Sequence, residues 1–149
     1  MLIYRERLLP GAHIFAIWAL LIPAALLVFL PINIQLGIAC AVILYTAACV
    51  LLVLGSPRLE VTDTEFVAGR ARLPLANVGH AQGFLDAEAT QERGPRLDAR
   101  AWLVIRGWVS PVVKIELNDE TDPTPYWLVS TRHPADLVAA LSKAHAAAG

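Results

Sequence analysis

The sequence predicts a membrane α-helical hairpin joined to a small α+β, mainly-β domain that ends in a capping helix. Three observations predict it. No Asp, Glu, Lys or Arg occurs from Ala12 to Leu54, in a chain of 149 residues that is 56% hydrophobic and 17% charged. After Arg58 charges return and apolar residues recur at alternate positions, the period of a half-buried strand. After Pro134 the apolar spacing lengthens to that of an amphipathic helix. The composition break at "GSPR" divides the chain into an anchor, residues 1–57, and a soluble domain, residues 58–149.

The uncharged block contains two apolar runs, Ala12–Leu30 and Leu36–Leu54, interrupted by Pro31, Asn33 and Gln35. Each has the length needed to cross a hydrocarbon core of ~30 Å at ~1.5 Å per residue. A span that is not part of a closed barrel must be helical, because unpaired backbone groups are costly in lipid. The short connection makes the pair an antiparallel hairpin, and Pro23 is expected to kink the first helix. A cleaved signal peptide would also begin with Arg5 and Arg7 ahead of an apolar run. This run is too long for one, and a second follows at once. Arg5 and Arg7 precede the first span, Arg58, Arg70 and Arg72 follow the second, and the connection has no Lys or Arg. The positive-inside rule therefore puts both termini in the cytoplasm, with two spans in the plasma (inner) membrane. Cys40 and Cys49 lie nine residues apart, on opposite sides of the second helix, so they do not pair with each other.

In the soluble part, "RLEVTDTEFVAG" reads as a hairpin turning at Asp63-Thr64-Glu65. "RLPLANVGHAQGFLD", "RAWLVIRGW", "VVKIELND" and "YWLVST" supply further strands, six or seven in all. Between the early and late strands, "DAEATQERGPRLDA" is polar and reads as an exposed loop. Pro123 and Pro125 turn the chain into the strand at Tyr126. Pro134 suits the first position of a helix, and Asp136 complements its dipole. Leu137, Val138, Ala140, Leu141 and Ala144 form one stripe, which must pack on the sheet because so short a helix is marginal alone. Consecutive antiparallel strands and one closing helix suggest a bent sheet or small barrel plugged at one end.

Charge and motifs narrow the function. From Arg58 onward there are 10 basic and 12 acidic residues, a balance that argues against nucleic acid as a partner. His13, His80, His133 and His145 are too far apart for metal-site spacing, and "NDETD" lacks the Gly and closing Glu of a calcium loop. No metal, cofactor or catalytic constellation is expected. Ser130, Thr131 and Arg132 stand before a helix, where they would either cap it or hold an anion. Trp108, Tyr126 and Trp127, with Trp102, lie on or beside the late strands; any of them left exposed would be a contact surface. The partner- or anion-binding candidates are thus Trp108, Tyr126, Trp127, Ser130, Thr131 and Arg132.

Three stretches carry a resemblance: "YRERL" at Tyr4–Leu8, "GRARLPL" at Gly69–Leu75 and "DPTPYWLVSTRHP" at Asp122–Pro134. Through them the chain resembles an uncharacterised family of small actinobacterial two-span membrane proteins, a resemblance that implies no activity. In element order the C-terminal part resembles bacterial pleckstrin-homology-like domains, which implies a small β-barrel with a C-terminal capping helix. Lipid-binding members of that group use basic residues around the first hairpin, where this chain has Asp63-Thr64-Glu65. The expected function is a membrane-anchored interaction or accessory module. It binds a protein partner, or a larger membrane complex, at the cytoplasmic face. The alternative is a regulator or enzyme that binds an anionic small molecule or lipid headgroup near Arg132. A transport subunit is disfavoured, since His13 is the only ionisable group of the spans besides cysteines and Tyr45.

Overall fold

The computed structural model describes residues 1–149 and divides into two compact units, Leu9–Ser56 and Met1–Leu8 with Pro57–Gly149. The apolar unit contains α1 (Ala12–Trp18), α2 (Leu21–Phe29) and α3 (Ile34–Leu54). By length and composition, Ala12–Phe29 and Ile34–Leu54 can each cross a membrane. The break between α1 and α2 falls at Ala19–Leu20, one turn before Pro23. The cause is local: Pro23 has no N–H to give to the Ala19 carbonyl, and its ring crowds that oxygen. The Asn33 side chain caps α3, accepting from the N–H groups of Gln35 at 2.9 Å and Leu36 at 3.2 Å. Ala25, Gly37, Ala41 and Ala48 are buried within this unit, while large side chains such as Leu27, Leu51 and Leu54 are exposed. Small residues at a helix contact and large ones outside are the distribution that lipid favours.

The second unit is built of eight strands and two helices. In chain order they are β1 (Leu2–Arg7), β2 (Arg58–Thr62), β3 (Glu65–Ala68), β4 (Ala71–Pro74), β5 (Val78–Phe84), α4 (Asp86–Arg93), β6 (Trp102–Val104), β7 (Val112–Leu117), β8 (Tyr126–Ser130) and α5 (Pro134–Ala148). They form two four-stranded sheets, ordered β1-β2-β3-β4 and β5-β7-β8-β6. The β2–β3 turn is held by the Thr62 hydroxyl, which accepts from the N–H of Glu65 at 3.0 Å. At the β3–β4 turn Gly69 has φ of 65°, a conformation that favours glycine.

One core joins both sheets and α5. Leu59, Val61, Phe66 and Leu73 come from the first sheet, Val113, Ile115, Trp127 and Val129 from the second. Leu137, Ala140, Leu141 and Ala144 of α5 belong to the same cluster, as the stripe after Pro134 requires. A smaller cluster, with Val112, Tyr126 and Leu128, lies against the other face of the second sheet beneath Ala89 of α4.

Four expectations change. Residues 1–57 are not all anchor, because Met1–Leu8 belong to the sheet unit through the antiparallel pairing of β1 with β2. The chain leaves this unit at Leu8 and rejoins it at Pro57, where the Leu8 N–H donates to the Pro57 carbonyl at 3.0 Å. The barrel is not closed: after Pro74 a 3-10 turn at Leu75–Asn77 separates β4 from β5, and each sheet keeps two edges. The late strands are not all antiparallel, since β6 runs parallel to β8. The expected loop at "DAEATQERGPRLDA" begins with α4, a surface helix that buries only Ala89 and Glu92 and so lacks a stripe. Its first turn holds Asp86 and Glu88 and its last Arg93, charges that suit the helix dipole.

Candidate functional site

The stretch from Tyr126 to Arg132 is the most motif-like part of the chain, and its strand is buried on both faces. Trp127 and Val129 point into the shared core, Tyr126 and Leu128 into the smaller one. Trp127 lies 6.0 Å from Phe66 and 6.2 Å from Trp102, ring centroid to centroid. The Tyr126 hydroxyl accepts from the Asp98 N–H at 2.8 Å, and the Lys114 ammonium sits 4.4 Å from the Tyr126 ring centroid. Trp108 is half-buried, its indole N–H donating to the Leu8 carbonyl at 3.1 Å. Tyr126 and Trp127 are therefore core residues and Trp108 a tie to the end of β1, where the sequence offered all three as contact candidates. Burial is the reason: α4 covers the Tyr126 face of β8, and the first sheet and α5 cover the Trp127 face.

Ser130 and Thr131 are fully buried, and both hydroxyls are used. The Ser130 oxygen accepts from the Arg106 N–H at 3.1 Å. Thr131 donates to Oε2 of Glu6 and accepts from the His133 N–H at 3.1 Å. The same Glu6 oxygen accepts from the Tyr4 hydroxyl at 2.8 Å, and Glu6 Oε1 accepts from the Arg132 N–H at 2.9 Å. Burial, with the Glu6 carboxylate beside it, pushes the Tyr4 hydroxyl up to about 12. A carboxylate from β1 thus stands just before α5, where the sequence suggests either a helix cap or a phosphate or carboxylate ligand. The chain supplies its own anion.

Glu6 and Tyr4 were missed as partners because 125 and 127 residues separate them from Thr131. The available signal was "YRER", in which Tyr4 and Glu6 share one face of a strand. Glu6→Ala is expected to cost about 2 kcal/mol, since it strips three donors of their charged acceptor at a partly buried position. Denaturant unfolding of the full chain in detergent checks this; an unchanged midpoint would mean that the Glu6 hydrogen bonds do not hold β1 to the start of α5.

A second charged group lies on the other face of the second sheet. Glu92 of α4, only 4% exposed, pairs with Lys114 at 3.4 Å and Arg96 at 3.5 Å. Among the exposed apolar residues of this unit are Trp102 at 48% and Leu103 at 43%, both on β6.

A family model described as a protein of unknown function, DUF3093, matches residues 3–141. No curated protein and no solved structure matches the chain.

Proposed function

We propose that this chain, which belongs to the DUF3093 family, is a membrane-anchored interaction module that binds a protein partner, or a larger membrane complex, at the cytoplasmic face of a bacterial plasma membrane. Two apolar helices long enough to span support the anchor. Because residues 1–8 and 57–149 build one sheet unit, they belong on the same side of the bilayer, and an even number of crossings between them follows. The positive-inside rule makes that side the cytoplasm. The element order of the sheet unit, a four-stranded meander and then an antiparallel β5-β7-β8 with a final helix, supports a pleckstrin-homology-like domain whose barrel stays open.

The observation that carries the interaction reading is the state of β6. It is an edge strand, and it presents Trp102 and Leu103 half exposed while the other tryptophan and tyrosine candidates are spent on packing. An open edge with an exposed Trp is a liability for a lone domain and an anchor for a bound one. Trp102→Ala is expected to weaken retention of the native partner by ~2 kcal/mol in mild-detergent co-purification. The melting point of the protein should move little in the same sample. Loss of stability with full retention would sink the reading. Reporter fusions after Gly149 and before Met1 should both report the cytoplasm; exported activity at either end reverses the topology. The alternative, an anionic ligand near Arg132, has the Glu6 carboxylate already on the Arg132 N–H and the Thr131 hydroxyl.

A further inference from the structure

We propose that the outer edge of β5 receives an extended segment of a partner protein as an added strand, and that this segment alternates apolar and basic side chains. The inference rests on the interaction reading above and adds to β6 a second surface, the opposite edge of the same sheet, with a chemistry of its own. β5 closes its sheet and pairs only with β7; from Ala81 to Phe84 the register is continuous, and the irregularity lies before it, between Val78 and Ala81. A strand edge of this kind offers backbone donors and acceptors that another strand can satisfy.

A cleft opens on each face of the sheet beside this edge. Towards α5, beside Val78–Ala81, there is a groove of about 400 Å³ in which Val78, Ala81, Val138 and Leu141 form an apolar floor and His80, Ser142 and His145 add polar groups. On the opposite face a cleft of about 240 Å³ is lined by His80, Gln82, Phe84, Glu92, Lys114 and Glu116. Side chains of an added strand point alternately to the two faces. One series would therefore enter the groove at its apolar floor beside Ala81, since Pro134 closes over Gly83 further along that face, and the other the charged cleft.

Charge selects the second series. Glu92 is neutralised by Lys114 and Arg96, whereas the exposed Glu116 makes no ion pair. A Lys or Arg entering the cleft would meet that carboxylate; an acidic side chain would be repelled by it. The excess of acidic over basic residues after Arg58, 12 against 10, acts in the same direction. Basic residues are concentrated in cytoplasmic segments next to membrane spans. The chemistry therefore fits a basic juxtamembrane segment of a neighbouring membrane protein.

The test uses the full chain in detergent micelles and two short labelled peptides, one alternating valine with lysine, the other valine with glutamate. The valine–lysine peptide should bind in a salt-sensitive way and slow amide exchange at Ala81–Phe84, and the valine–glutamate peptide should bind about tenfold more weakly. Ser142→Trp, at an exposed position lining the groove, should abolish binding. Glu116→Gln should weaken it about threefold and remove most of its salt dependence. Equal binding of the two peptides, unchanged exchange in β5, or unchanged affinity in both variants would each overturn the proposal. A native partner that co-purifies with wild type and with both variants overturns strand addition while leaving the interaction reading intact. Peptide binding that meets every condition, with no protein co-purifying, removes the partner reading and with it the occupant proposed for β5.

Discussion

Trp127→Ala is expected to lower stability by about 3–5 kcal/mol, the usual cost of removing a large aromatic from a packed core. The ring is 7% exposed and stands between Phe66 of the first sheet and Trp102 of β6. Its removal leaves a hole where the two sheets meet, and neither neighbour can fill it without leaving its own contacts. Small domains have only ~5–15 kcal/mol of stability in total, so the variant should be marginal. Denaturant unfolding of the full chain in detergent would measure the change, with Trp127→Phe expected to recover a large part of it. A Trp127 that acted as a recognition anchor would give the opposite result, with partner retention lost and stability nearly unchanged. A shift below ~1 kcal/mol would refute its place in the core.

What the sequence made legible follows from how far each signal reaches. The apolar runs, the kink at Pro23, the strand "VVKIEL" and the stripe from Leu137 to Ala144 are all local periodicities, and all have their expected structure. The parallel pairing of β6 with β8 is not local. "RAWLV" says that a strand exists, but nothing in its alternation says which strand it joins or in which direction. The sequence offers Arg5 and Arg7 only as positive charges ahead of an apolar run, with nothing to mark them as part of a strand. In the sheet, Arg5 lies opposite Glu60 and forms an ion pair at 3.3 Å, while Tyr4 and Glu6 lie opposite Val61 and Leu59.

The site was half legible for the same reason. "STRHP" before a helix left open a cap or a bound anion, and both are there: the Thr131 hydroxyl accepts from the His133 N–H, and a carboxylate stands beside it. Its source, Glu6, lies at the other end of the chain, and only the pairing of β1 with β2 brings it near. "YRERL" and "DPTPYWLVSTRHP", two of the stretches that carried the family resemblance, thus meet at one hydrogen-bonded junction. Their distinctiveness reflects architecture at least as much as recognition. Trp102, which was grouped with the other aromatics, is the one left exposed, because β6 is too short and too near the edge to be covered.

Leu137→Asp should be the most damaging single change in the sheet unit, at about 4 kcal/mol or more. Leu137 is fully buried in the cluster that joins both sheets to α5, so the substitution first leaves a cavity of the kind Leu→Ala would make. It then adds a carboxyl with no cation or donor beside it in that cluster. Burial disfavours the charged form, so the introduced group should titrate above its ordinary value of ~3.9 in the folded state. The sign follows. Below ~4 the carboxyl is neutral in both states, and the variant should resemble Leu137→Asn; as pH rises further, the unfolded chain ionises freely while the folded one resists. The stability gap between Leu137→Asp and Leu137→Asn should therefore widen from acid to neutral pH, with Leu137→Ala giving the cavity cost alone. Chemical unfolding of the three variants across that range would measure it. A gap that stays flat would mean that the carboxyl reaches water, and α5 would then not cover the sheets as described.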